Sequence, residues 1–120
     1  MPTTGDPTAK PAVTTTTVTI PAGQALSSSA DLTAGNMVML LTPADWTPAN
    51  ISFLISEDNI TFRDLFDSDG HEIVKSMGPN RAINVDPSYT SGALYLKLLS
   101  GPRANPVAQE ADRVFTIVIQ

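Results

Sequence analysis

Short segments of strand character run through this whole chain of 120 residues, and turn residues separate almost all of them. No segment shows a convincing apolar period of 3.6 residues, which an amphipathic helix requires. Short strands at even spacing, with Gly, Pro, Asn and Asp between them, are typical of β-sandwiches and jelly rolls. We therefore predict an all-β, antiparallel β-sandwich or jelly-roll-like fold with an extended N-terminal arm.

The clearest of these segments is the stretch 51–66, which has the pattern of a β-hairpin. Ile51, Phe53 and Ile55 alternate with mostly polar residues, so one face of this strand is apolar. The polar residues 57–59 predict a turn, in which Asn59 tolerates a positive φ.

The second strand of the hairpin is less regular than the first. The apolar pattern resumes at Ile60 and Phe62, which predicts the return strand. Strict alternation is then lost at Leu65 and Phe66, which predicts a bulge or an early strand end.

The other predicted strands are assigned to one sandwich domain, residues 13–120. In chain order they are 13–20, 29–32, 37–41, 71–75, 81–85, 94–99 and 113–119. Strand 13–20 is β-branched throughout, which favours an edge strand or a strand shared between subunits. Strand 37–41 is a continuous apolar run, which predicts cover on both faces. Strand 113–119 is apolar on both faces, so we expect it either to be central or to have its outer face covered by another element.

Alternation also predicts the core. We expect six side chains to be buried between the sheets: Phe53, Ile55, Leu96, Leu98, Phe115 and Ile117. Leu94 shares the inward face of its strand with Leu96 and Leu98, and Tyr95 and Lys97 should point outward.

Residues 1–12 form the predicted arm, with three prolines and no large side chain after Met1. Such a segment buries too little surface to offset its own ordering entropy, so an ordered arm should pack on a neighbouring chain. We expect the assembly interface to use Pro2, Pro7 and Pro11 of the arm, and Val13, Thr15 and Thr17 of the first strand.

Charge is scarce and unevenly placed. The chain is 16% charged, against about 25% in typical domains. The segment 57–72 has six acids and one base and so carries the whole net charge of −5. An acidic patch argues against nucleic-acid binding, which needs Lys and Arg at the phosphates. No segment has the apolar length of a membrane helix, and residues 1–10 do not resemble a signal peptide.

The sequence shows no clear pattern of catalytic or metal-binding residues. The chain has no Cys and one histidine, His71, which we expect to be exposed at the start of a strand. Asp64, Asp67 and Asp69 suggest calcium, but with Gly70 in the sixth position of an EF-hand loop the first and twelfth ligands are missing. We expect no enzymatic activity, no cofactor and no metal site.

The predicted loop 42–50 allows two interpretations. The only Trp, Trp46, lies between two prolines in the stretch 42–50. It could stack on a sugar, together with Tyr89 and Arg103 from other loops, or it could cover one end of the core.

Two resemblances bear on function. The hairpin Ile51–Leu65 resembles that of discoidin-like, galactose-binding-type sandwiches, although Asn59 replaces their glycine. A longer pattern is similar to small β-sandwich virion proteins of tailed bacteriophages. Beyond the hairpin, its parts are Asp69-Gly-His-Glu, Asn84-Val-Asp-Pro-Ser-Tyr, Leu96-Lys-Leu-Leu-Ser-Gly, Pro106-Val-Ala-Gln and Arg113-Val-Phe-Thr-Ile.

The second resemblance implies a virion structural protein on the capsid or tail, made in the host cytoplasm. The Thr/Pro-rich arm, the β-branched first strand, the missing Cys and the low charge favour a capsid decoration or cement protein that contacts the major capsid protein or other virion proteins. We expect a homo-oligomer, with a trimer favoured, and no nucleic-acid or membrane partner. The alternative is a carbohydrate-binding module or a receptor-binding component of the tail or fibre.

Overall fold

The computed structural model describes residues 12–120, which contain nine β-strands and one short 3-10 turn. The strands are β1 (Thr14–Ile20), β2 (Ala30–Asp31), β3 (Met37–Leu41), β4 (Ile51–Ser56), β5 (Arg63–Asp64), β6 (Val74–Lys75), β7 (Ala82–Asn84), β8 (Tyr95–Ser100) and β9 (Arg113–Ile119). The turn is Pro87–Tyr89. The predicted arm lies outside the described residues, except for Ala12.

The strands form two antiparallel sheets packed face to face, so the predicted all-β sandwich is confirmed. The first sheet has the order β1-β9-β3-β7. The second has the order β2-β8-β4-β5, with β6 pairing the other half of β4. Strand β9 lies between β1 and β3, which confirms its predicted central position.

The core fills the space between the sheets. Phe53, Leu96, Leu98, Phe115 and Ile117 are fully buried, as predicted. Ile55, which was predicted to be buried with them, is only partly buried and packs against the margin of the core near the end of β4. These side chains come from the central strands of both sheets. Burial of an apolar side chain contributes about 1.5–3 kcal/mol, so each of the fully buried members contributes substantially to stability.

The prediction that Leu94 points into the core is wrong. Its side chain is 44% exposed, and β8 begins one residue later at Tyr95. The reason is its position beyond the last paired residue of β8. Its backbone N–H donates to the Ser56 carbonyl, which ties the chain to the end of β4 without turning the side chain inward.

The return strand of the hairpin is shorter than predicted. Asn59 does adopt a positive φ of 62°. Ile60, however, is 84% exposed and lies outside any strand, and only Arg63 and Asp64 pair with β4. The cause is Asp58, whose Oδ1 accepts hydrogen bonds from the N–H groups of Ile60 and Thr61 and holds both in the turn.

Candidate assembly surface

Strand β1 forms one edge of the first sheet, where the sequence favoured an edge or shared strand. It pairs with β9 over seven residues, from Thr14 opposite Ile119 to Ile20 opposite Arg113. Val18 and Ile20 point into the core, while Thr15 and Thr17 are exposed. The β-branched sequence thus gives a long, regular strand with one side toward β9 and the other toward the edge.

Ser28 shows which backbone groups of β1 face the edge. The Thr19 N–H donates to Ser28 Oγ at 3.1 Å, and the Thr19 carbonyl accepts from the Ser28 N–H at 3.0 Å. In an antiparallel pair, the direction of the backbone groups alternates along the strand. The N–H and C=O groups of Thr15 and Thr17 therefore face the same open edge as those of Thr19, but without partners among residues 12–120.

The other sheet edges are much shorter. Strand β7 has three residues, while β2, β5 and β6 have two each and include a charged residue. Short strands and charges are the usual protection of an edge against pairing with another chain. Strand β1 has seven residues with no charge and no proline, so it lacks these protections.

The outer face of the first sheet is also uncharged. The pairing places on this face side chains from all four strands: Thr15, Thr17, Thr19, Val114, Thr116, Val118, Met39, Leu41, Ala82 and Asn84. Val114 is 50% exposed. A face without charged groups loses little solvation energy when another protein covers it, because hydroxyls and amides cost far less to bury than charges. This face and the β1 edge together form the candidate assembly surface.

The predicted interface residues are only partly within the described chain. Val13, Thr15 and Thr17 are exposed at the β1 edge, which is the position that the prediction requires. Pro2, Pro7 and Pro11 lie outside the described residues.

Trp46 covers one end of the core, which was the second interpretation of this residue. Its ring meets the ring of Phe115 edge-on, and its Nε1–H donates to the Ala49 carbonyl at 2.9 Å. The side chain is half-buried. The indole is therefore committed to contacts within the domain on one ring edge and at its nitrogen.

Tyr89 lies in different surroundings. Its ring packs near Phe53, and Lys75 Nζ lies 5.1 Å from the ring centroid, within the range of a cation–π contact. Tyr89 also lines an open cleft of about 290 Å³ with Phe66 and Ile73. Phe66 is 52% exposed there and presents an apolar surface to solvent.

Arg103 contacts the acidic segment instead. Its Nε lies 3.6 Å from Asp64 Oδ2, and its backbone N–H donates to the Glu72 carboxylate. Trp46, Tyr89 and Arg103 thus have separate sets of neighbours in the described chain, and the structure does not gather them into one sugar site.

Two carboxylates of the acidic segment, those of Asp58 and Asp67, hold turns. Asp67 Oδ1 accepts hydrogen bonds from the N–H groups of Asp69 and His71. The His71 bond lowers the pKa of the Asp67 carboxyl most. Within residues 12–120, no group of three His, Cys, Asp or Glu side chains could hold a metal ion.

One buried polar network was not predicted from the sequence. Gln109 Oε1 accepts from the Thr47 N–H and from Arg113 Nε, and its Nε2 donates to the Thr47 carbonyl and to Ser100 Oγ. Arg113 is only 9% exposed. This network fastens the Trp46 loop to β8 and β9, but its members are far apart in the sequence and share no local motif.

Comparison with known proteins gives no relative: no family model, no curated protein and no solved structure matches this chain. In the part of the chain that the structure describes, no helix is long and apolar enough to cross a membrane.

Proposed function

We propose that this chain is a structural protein of a bacteriophage virion, and specifically a capsid decoration protein that acts through protein–protein contacts. The observation that carries the proposal is β1, a seven-residue, uncharged edge strand beside an uncharged sheet face. Natural proteins rarely leave such an edge free, because it pairs readily with other chains. An edge of this kind therefore favours a protein that works within an assembly.

We also propose that the sandwich is a jelly roll. The strand order supports this, because β1, β3, β7 and β9 form one sheet while β2, β4 and β8 lie in the other. The chain therefore crosses between the sheets repeatedly, as in the double Greek key of capsid and lectin domains. Many functions share this architecture, so the fold supports the virion proposal only together with the edge.

In this proposal the partners are the major capsid protein or other virion proteins, together with further copies of the chain. The chain has no catalytic role, cofactor, nucleic-acid partner or membrane partner. The arm, residues 1–12, reaches a neighbouring subunit, and its prolines at 2, 7 and 11 reduce the entropy lost on docking.

The test is deletion of residues 1–12. The truncated protein should keep the melting temperature of the isolated domain but lose attachment to the virion particle. The particle is the one with which the full-length protein co-purifies, identified by mass spectrometry, and co-sedimentation with it measures attachment. A variant with the arm present but Pro2, Pro7 and Pro11 all replaced by Gly is the matched control, and it should bind with reduced affinity. If the truncated protein binds as strongly as the full chain, the arm is only a linker and this part of the proposal is wrong.

A second candidate is a carbohydrate- or receptor-binding component of the tail. The cleft beside Tyr89 and Phe66 favours it, because an exposed aromatic ring beside an open cleft can stack on a sugar. Glycan-array binding that is lost in Tyr89→Ala and Phe66→Ala, but kept in Trp46→Phe, would support this candidate over decoration.

A further inference from the structure

The long edge of β1 raises the question of which chain pairs with it. We propose that β1 pairs with β1 of a second copy in antiparallel orientation, about a two-fold axis at Thr15. The two first sheets then form one continuous sheet of eight strands. The inference rests on the proposed assembly role and names the partner of the β1 edge.

The backbone groups of the β1 edge that lack partners among residues 12–120 set the register. Ser28 already occupies the edge groups of Thr19, so pairing with another chain can use Val13, Thr15 and Thr17. An antiparallel partner shifted to these residues places Thr15 opposite Thr15 of the second copy. Val13 of each copy then lies opposite Thr17 of the other copy. The edge-facing N–H and C=O groups of these residues and of Thr15 all gain hydrogen-bond partners.

The sequence of β1 suits pairing with itself. A two-fold interface requires the same surface to fit its own copy. In this register Thr15 meets Thr15 of the second copy and Thr17 meets Val13, so each pair joins two small β-branched side chains and no like charges face one another. Thr–Thr pairs across strands are favourable, and main-chain hydrogen bonds supply the remaining affinity.

The arm is a poorer partner for this edge. Pro2, Pro7 and Pro11 have no N–H, so an arm strand would lack backbone donors at intervals of four or five residues. The β1 strand of a second copy has none of these gaps. Pairing of β1 between two copies also predicts a dimer, rather than the trimer that the sequence favoured.

The absence of cysteine makes a cross-linking test direct. Facing residues of a hydrogen-bonded antiparallel pair have Cα atoms about 5.5 Å apart, which is within the range that a disulfide can bridge. Full-length Thr15→Cys should therefore form a covalent dimer under mild oxidation. Asn84→Cys, on the same face but at the β7 edge, is the matched control and should remain monomeric on a non-reducing gel.

Two further variants test the register. A mixture of Val13→Cys and Thr17→Cys should cross-link to a heterodimer, whereas Thr17→Cys alone should cross-link much less. A Thr17→Cys homodimer that forms as readily as the Thr15→Cys homodimer would overturn the register and therefore the proposed axis.

Charge substitution tests the same axis without a covalent bond. Thr15→Lys and Thr15→Glu each place like charges opposite one another, which should weaken self-association roughly tenfold. An equal mixture of the two variants should restore the dimer, because opposite charges now face each other. Analytical ultracentrifugation measures the association, and circular dichroism checks that each variant is folded.

The outcomes separate this inference from the proposed function. A full-length protein that is monomeric, or whose association does not respond to either Thr15 charge variant, overturns the β1 pairing even if it still binds the particle. A dimer that behaves as described supports the pairing even if no particle binds, and in that case only the decoration proposal is wrong.

Discussion

The ring of Trp46 stands edge-on against the ring of Phe115, with centroids 5.3 Å apart and planes inclined at 84°. Trp46 comes from the loop before β4, and Phe115 lies in the middle of β9. The contact therefore fastens a proline-bounded loop to the central strand of the first sheet. Edge-to-face pairs of this kind add about 0.5–1.5 kcal/mol beyond the area that they bury.

Trp46→Ala should lower the free energy of unfolding by about 3 kcal/mol, because it removes the ring contact and opens a cavity at the end of the core. Trp46→Phe keeps an aromatic edge against Phe115 and loses the hydrogen bond to Ala49, so it should cost about 1 kcal/mol. Urea denaturation followed by circular dichroism measures both. Equal losses in the two variants would mean that the ring contact contributes little.

Phe53 and Phe115 are both fully buried, one in each sheet. Truncation of either to Ala should cost about 3–5 kcal/mol, a large part of the stability of a domain of this size. Ile60→Ala is the matched control, since that side chain is almost fully exposed and its removal should change stability by less than about 0.5 kcal/mol. A loss below about 1 kcal/mol for Phe53→Ala would contradict the packing of the core.

Much of this fold could be predicted from local patterns. The sequence prediction placed β9 at residues 113–119, as observed, and began β1 only one residue early at Val13. Both strands have long β-branched or apolar runs, so the signal does not depend on the rest of the chain. The prediction was wrong at positions where contacts other than the local apolar pattern determine whether a strand forms. Asp58 closes the turn that contains Ile60, and β8 begins only where β4 can pair with it, after Leu94.

The candidate assembly surface was predictable only in part. The threonine run indicated an edge strand, but the sequence could not show that Ser28 occupies the edge groups of Thr19 or that the other edges are short. Strand order and the Gln109 network depend on pairings between distant residues, which no local pattern specifies. The sequence also suggested one site for Trp46, Tyr89 and Arg103, which the fold places among different neighbours.

Alanine substitutions at two glycines can distinguish the cost of a left-handed backbone from the cost of a steric clash. Gly101 and Gly23 have similar positive φ values of 88° and 79°. A Cβ at Gly101 would lie 2.6 Å from the Asn105 carbonyl oxygen, whereas a Cβ at Gly23 would meet nothing within 4 Å. Gly23→Ala should therefore cost about 1 kcal/mol for the left-handed conformation alone.

Gly101→Ala should cost distinctly more than Gly23→Ala, because the backbone from Asn105 to Val107 must also move. That shift would strain the Val107 N–H bond to the Ser100 carbonyl at the end of β8. Thermal denaturation of the two variants measures the difference. Equal melting temperatures would show that the loop after β8 adjusts freely, contrary to the close approach seen here.

The turn between β4 and β5 should make stability depend on pH through Asp58. Hydrogen bonds from the N–H groups of Thr61 and then Ile60, and from the Ser56 hydroxyl, lower the pKa of the Asp58 carboxyl below its usual 3.8. A carboxyl with a lowered pKa in the folded state stabilises the fold above its unfolded pKa. This contribution is lost as the pH falls through the folded-state pKa, so it should be constant near neutral pH and decline below about pH 4.

Asp58→Ala should therefore lower the melting temperature at pH 7, and its difference from the wild type should shrink as the pH falls below about 4. Asp58→Asn keeps an oxygen that can accept the backbone bonds but has no charge, so it should be less destabilising than Asp58→Ala at pH 7. Asp45→Ala is the control, because Asp45 is an exposed carboxylate of the loop before β4 and its replacement removes the same charge without touching the Asp58 turn. Melting curves from pH 2.5 to 7 measure all three variants. A difference between Asp58→Ala and the wild type that stays constant over this range would show that the ionised carboxylate does not stabilise the turn.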